Sequence, residues 1–72
     1  MELKLTNHAK YRFLERGIKL ADIRSTIVKP NSTKNTFDDK VLARKSFGGK
    51  KLEVIYVPVS KNKALVVTAY YL

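Results

Sequence analysis

The hydrophobic period of this chain changes once. Up to about residue 33 apolar residues recur at the three- and four-residue intervals of an amphipathic helix; beyond it they alternate or run on, as they do in strands. A chain patterned this way is constrained to put helices first and a sheet second, in an α+β arrangement. Its 72 residues fill one domain with a thin core. There is no cysteine to staple that core and one histidine, His8, too few for a protein-built zinc site, so neither a metal nor a cofactor is expected.

Local signals divide the chain further. Thr6 can cap a helix over residues 7–16, and Gly17 follows Arg16 where a left-handed closing residue is wanted, with Ile18 placed to touch back on the helix. Within that helix Ala9 and Phe13, with Leu14 to one side, form the stripe that should pack on the sheet. A second helix is predicted over residues 20–29, presenting Leu20, Ile23 and Ile27 and stopped by Pro30. Residues 31–35 read as a polar connector. Strands are predicted at 41–47, 52–59 and 64–72, with a weak one at 36–38. Phe47-Gly48-Gly49-Lys50 and Ser60-Lys61-Asn62-Lys63 supply tight turns, so the last three strands should form an antiparallel meander. Pro58 should mark a strand end or a bulge. The expected fold is therefore two N-terminal helices packed on a three- to four-stranded antiparallel sheet.

The charge balance points to a partner. Fifteen Lys and Arg against six Asp and Glu give a formal net charge of +9, spread evenly along the chain rather than gathered in a detachable arm. A folded surface so basic suits a polyanion such as RNA. No apolar run exceeds four residues and the first residues lack the apolar segment of a secretion signal, so no membrane association and a cytoplasmic location are expected.

On the first predicted helix His8, Arg12 and Arg16 recur every four residues and share one face. Two guanidinium forks at this spacing suit a phosphate. With His8 as a neutral base, the set is the minimum for metal-free phosphodiester cleavage: the imidazole takes the ribose 2′-hydroxyl proton and the arginines stabilise charge growing on phosphorus. Tyr70 or a lysine could protonate the leaving oxygen. The alternative is a solvated helix face, with Glu15 close enough to pair with an arginine. Tyr56, Tyr70 and Tyr71 could stack on bases or could serve the core, Tyr70 and Tyr71 pointing to opposite faces. Thr68 and Arg44 are ordinary strand residues unless they share a surface with the helix stripe, and Lys50-Lys51 and Lys61-Lys63 guard strand ends.

The residues His8-Ala9, Arg12, Glu15-Arg16-Gly17-Ile18, Asp22-Ile23, Pro30, Val54-Ile55-Tyr56 and Val66-Val67-Thr68-Ala69-Tyr70 together resemble a prokaryotic domain-of-unknown-function family of small proteins. The resemblance runs from about Thr6 to Tyr71, and the opening His-Ala-x-x-Arg-x-x-x-Arg-Gly-Ile element is its most specific part. Two positions depart from the pattern: Lys19 stands where a Ser or Thr cap is common, and Lys29-Pro30 replaces Asn-Pro. The family is similar to the BrnT-type and RelE-type ribonuclease toxins, which set helices against a small antiparallel sheet and cut RNA without a metal. What the resemblance implies is a toxin-like endoribonuclease carried by His8, Arg12, Arg16, Thr68 and Tyr70, with His8, Arg12, Arg16 and Tyr70 as catalytic residues; Arg44, from its place on a basic strand, is expected to join Arg12, Arg16 and Thr68 as a phosphate or RNA contact. A non-enzymatic nucleic-acid-binding module would use the same basic face. So would an interaction module that needs an acidic, antitoxin-like protein to cover its sheet.

Overall fold

The computed structural model describes all 72 residues. The chain opens with a strand, β1 (Glu2–Leu5), and continues through two helices, α1 (Asn7–Arg16) and α2 (Leu20–Val28), into β2 (Ser32–Asn35), β3 (Val41–Phe47), β4 (Lys50–Ser60) and β5 (Lys63–Tyr71). The strands form a single five-stranded sheet in the order β1-β5-β4-β3-β2, in which β1 runs parallel to β5 and every other pair is antiparallel.

This corrects the expected three- to four-stranded antiparallel sheet behind two N-terminal helices. Leu3 and Leu5 do alternate with Glu2 and Lys4, but four residues are a weak strand signal, and their partners, Ala64 and Val66, lie at the far end of the chain. The expected connector contains β2. None of Ser32, Thr33, Lys34 and Asn35 is buried, so no hydrophobic period marks them; backbone bonds to β3 alone make them a polar edge strand. Residues 36–38 are a turn instead of a strand. Thr36 N donates to Lys40 O at 2.9 Å, the Thr36 hydroxyl donates to Asp38, and Asp39 takes φ 62°.

The helices follow local chemistry. The Thr6 hydroxyl accepts from Ala9 N at 3.0 Å. Gly17 closes α1 at φ 66°, with Gly17 N donating to Leu14 O and Ile18 N to Phe13 O at 2.9 Å, which is a Schellman closure. Ile18 is thereby delivered into the core. α2 begins at Lys19 without a side-chain cap; its buried Thr26 returns its hydroxyl to Asp22 O at 2.7 Å.

Both helices lie on one face of the sheet. Ala9, Phe13, Ile18, Ile23 and Ile27 meet Leu52, Val54, Ala64, Val66 and Ala69, with Leu3, Leu5, Phe47, Tyr56 and Tyr71 at the margin. Leu14 does not join them: at 81% exposure it lies outside the packed stripe. Lys45 reaches from β3 to α2, its ammonium donating to the Ser25 hydroxyl at 2.7 Å. The opposite face carries no helix. The β4–β5 register shifts between Ile55 and Tyr56 and again between Pro58 and Ser60, the second irregularity falling at the residue that has no amide proton to give.

Candidate functional site

Register builds a row of side chains across the uncovered face. Ser32 stands opposite Arg44, Arg44 opposite Glu53, and Glu53 opposite Tyr70. Directly opposed residues of neighbouring strands are close enough to bond. Arg44 Nε donates to Glu53 Oε1 at 2.6 Å, and the Tyr70 hydroxyl donates to Glu53 Oε2. Glu53 is only 3% exposed, and a carboxylate so buried must be compensated; here a cation and a phenol take one oxygen each. The Arg44 side chain is half exposed, so Glu53 anchors one edge of the guanidinium while the remainder stays open to solvent. A fork held this way loses less conformational freedom when it grips an anion.

Ser46 and Lys51, paired in the adjacent row, stand beside this arginine on the same face. A hollow of about 300 Å³ opens between them, lined by Asn31, Ser32, Arg44, Lys45, Ser46 and Lys51. No acid lines it. Asn31 shapes its rim by accepting from Ser46 N at 2.8 Å through Oδ1 and donating its own amide to Arg44 O at 2.8 Å. Thr68 lies on this face one row away, opposite Ile55 and in line with Leu42 and Lys34.

The helix stripe is placed elsewhere. Arg16 Nη1 donates to Ala69 O at 2.8 Å. β1 accompanies β5 only as far as Val66, so beyond it the outer edge of β5 is bare, and Arg16 satisfies one of its carbonyls. His8 and Arg12 are exposed on α1. Neither forms a hydrogen bond with Tyr70, whose hydroxyl goes to Glu53, and Glu15 forms no ion pair with the arginines. Of the residues singled out from sequence, then, the structure brings together Arg44 and Tyr70, with Thr68 nearby; it ties Arg16 to the backbone residue beside Tyr70; and it leaves His8 and Arg12 apart. Arg44 and Thr68 face away from the helices.

Glu53, the residue that joins Arg44 to Tyr70, escaped the sequence reading. The signal was a charged residue inside the apolar run Leu52-Glu53-Val54-Ile55-Tyr56, on a strand whose two-residue turns pin it to both neighbours. With Phe47 opposite Lys50, counting back from the first turn sets Glu53 against Arg44; across β4–β5 the two register irregularities offset one another, so Glu53 still falls against Tyr70.

The aromatic residues also separate by face. Tyr56 and Tyr71 pack against the helix-side core, where burial pushes the Tyr56 phenol above its ordinary pKa and the Lys50 ammonium sits 5.2 Å from the Tyr71 ring centre. Tyr70 alone of the three serves the open face.

These features define a small basic α+β protein with helices on one face of a mixed sheet and an arginine–glutamate–tyrosine row on the other. The chain belongs to the family described as a domain of unknown function, DUF4258, whose pattern matches residues 5–71. Comparison with curated proteins and with solved structures finds no match. No helix is long and apolar enough to cross a membrane.

Proposed function

We propose that this protein binds RNA, with the open sheet face taking the phosphate backbone. The observation that carries the reading is the acid-free hollow beside Arg44. Its charged lining is wholly cationic, and the one carboxylate nearby, Glu53, already has both oxygens engaged by Arg44 and Tyr70. Phosphate is the ligand such a surface favours, and a net charge of +9 draws a polyanion toward it. Arg12, exposed on α1, adds to the basic charge on a different surface of the molecule.

A second reading, metal-independent endoribonuclease, is favoured by the same row, because a guanidinium, a carboxylate and a phenol in contact are groups that phosphodiester cleavage uses. In that reaction the ribose 2′-oxygen attacks phosphorus, the bond to the 5′-oxygen breaks, and a 2′,3′-cyclic phosphate and a 5′-hydroxyl result. Arg44 would stabilise the crowded phosphorus and Tyr70 would give its proton to the leaving oxygen. Within the row the 2′-proton would pass to Glu53 once Tyr70 releases it; His8, the base that the resemblance implies, is exposed on α1 apart from the row, and its substitution tests that assignment. The sequence resemblance to the BrnT-type and RelE-type toxins favours the same chemistry.

Both readings are tested by incubating the protein with mixed-sequence labelled RNA in excess EDTA and measuring bound fraction and fragments in the same samples, beside Arg44→Ala, Tyr70→Phe and His8→Ala. Salt-sensitive binding that weakens several-fold in Arg44→Ala is the expected result; no binding by wild type would sink the RNA reading, and binding indifferent to Arg44→Ala would remove the open sheet face as its site. Fragments lost in Tyr70→Phe or His8→Ala while binding persists would establish cleavage; binding without fragments would leave a binding module.

A further inference from the structure

The hollow beside Arg44 does not end there. A second one, of about 280 Å³, shares Ser32 and Arg44 with it and is completed by Thr33, Lys34 and Leu42. A third, of about 380 Å³, shares Lys34 and Leu42 with the second and ends at Phe37. The three form one track over β3 and β2, from Lys51 through Arg44 and Lys34 to the turn. Along the β3 side Ser46, Arg44 and Leu42 recur at every second residue, an interval of about 6.6 Å. The wall is cationic for the first two hollows and becomes apolar at the third.

Phe37 is the feature the fold does not explain. Its ring is fully exposed, at 108% relative accessibility, on a turn held by backbone and Thr36 bonds that owe nothing to it. An aromatic side chain in water at the end of a basic groove is a platform for a base, because every base offers a π-face and the preceding phosphates have cations to meet. The acids nearby do not oppose this. Asp38 is occupied by Lys40 and Thr36, and Asp39 lines a different hollow, with Val41 and Pro58.

We infer that the track is a single-strand site, in which unpaired RNA lays its phosphates along Lys51, Arg44 and Lys34 and stacks one base on Phe37. This rests on the RNA reading above and narrows it: a duplex keeps its bases stacked inside and cannot use Phe37. Selectivity for unpaired RNA then resides in one side chain on the β2–β3 turn, separate from the Arg44–Glu53–Tyr70 row.

The test compares a fluorescent oligoadenylate, an RNA duplex of equal length and inorganic polyphosphate, binding to wild type, Phe37→Ala, Phe37→Tyr and Phe37→Trp. Because Phe37 packs on nothing, none of these substitutions threatens the fold. Phe37→Ala should weaken oligoadenylate binding about 5- to 100-fold and leave duplex binding unchanged, with Phe37→Tyr retaining wild-type affinity. The chain has no tryptophan, so Phe37→Trp places a sole indole on the platform, and its emission should be quenched by oligoadenylate and not by polyphosphate. Oligoadenylate binding indifferent to Phe37→Ala, equal losses for single strand and duplex, or quenching by polyphosphate would each overturn the stacking site while leaving RNA binding in place. Wild type that binds neither RNA would remove the broader reading and this one with it.

Discussion

Glu53 carries the largest single-residue prediction. Its carboxylate is buried on a face without helices and holds Arg44 and Tyr70 in one row. Glu53→Gln keeps the volume but removes the charge and turns one acceptor into a donor, leaving a partner unpaired at a cost of about 1–3 kcal/mol. The half-exposed Arg44 can turn to water, which keeps this below the cost of breaking a fully buried pair. For a domain of this size 1 kcal/mol corresponds to about 4–8 °C in Tm, so circular-dichroism melting should show a fall of at least about 4 °C. An unchanged Tm would mean that the row contributes no stability. A smaller ionic contact sits on the β2–β3 turn. The Lys40 ammonium, and after it the Thr36 hydroxyl, bond the Asp38 carboxylate and lower its pKa from 3.8 to about 2. A carboxyl whose folded value lies below its unfolded one adds stability that is complete above the unfolded value and lost as pH falls through the folded one. The turn should therefore keep this contact at pH 5 and lose it between 3.8 and about 2. An NMR titration of the Asp38 carboxyl should find its midpoint near 2, moving up toward 3.8 in Lys40→Ala; a midpoint indifferent to that substitution would contradict the contact.

At the scale of elements the corner between α1 and α2 is the most local piece of the fold, and its determinants are adjacent in sequence. Gly17 adopts φ 66° and a Cβ placed there would meet nothing within 4 Å, so Gly17→Ala costs conformation alone, about 1 kcal/mol. Gly17→Asn should recover part of that loss, since asparagine tolerates the left-handed region better than alanine. Thr6→Ala removes the bond to Ala9 N and should cost about 1 kcal/mol as well. Urea denaturation measures all three, and equal stability of Gly17→Ala and wild type would show that the closure is dispensable. The strands behave differently. β3, β4 and β5 carry apolar residues on the helix face and tight turns between them, so their pairing is readable from sequence. β2 carries no buried residue and β1 is four residues long; neither has a pattern that distinguishes it from a loop, and both exist because an edge of the sheet offers backbone partners.

For the whole molecule the consequential property is that one face is covered by helices and the other is not. The cations Lys34, Arg44 and Lys51 lie on the uncovered face, along the track ending at Phe37. If all three meet phosphates of a single strand, the logarithm of affinity should fall with the logarithm of salt with a slope of about −2, at about 0.7 per contact, and each alanine substitution should reduce the slope by about 0.7. Fluorescence titrations at several salt concentrations give these slopes directly. A slope unchanged in the Arg44→Ala and Lys51→Ala variants would place the RNA elsewhere, with the exposed α1 arginine Arg12 the next surface to test.

Sequence by itself determined the α+β composition and its local punctuation, and not the five-stranded mixed sheet. The period change, the Thr6 cap, the Gly17 closure and the two tight turns each depend on residues a few positions apart, so their physics is complete within a short window. The basic surface is likewise a sum over residues that needs no coordinates. Tertiary structure alone decided that the chain begins in the sheet, because the β1–β5 pairing joins the two ends of the chain and no local pattern encodes a partner so distant. It also decided which candidate residues meet. Arg44 and Glu53 are nine positions apart and Glu53 and Tyr70 seventeen, and only the paired registers of three strands bring their side chains onto one carboxylate. His8 and Arg12 share a helix face with Arg16 by helical geometry, yet where that face lies was set by the packing of Ala9 and Phe13 into the core, which turns the sheet row and the helix stripe to different surfaces.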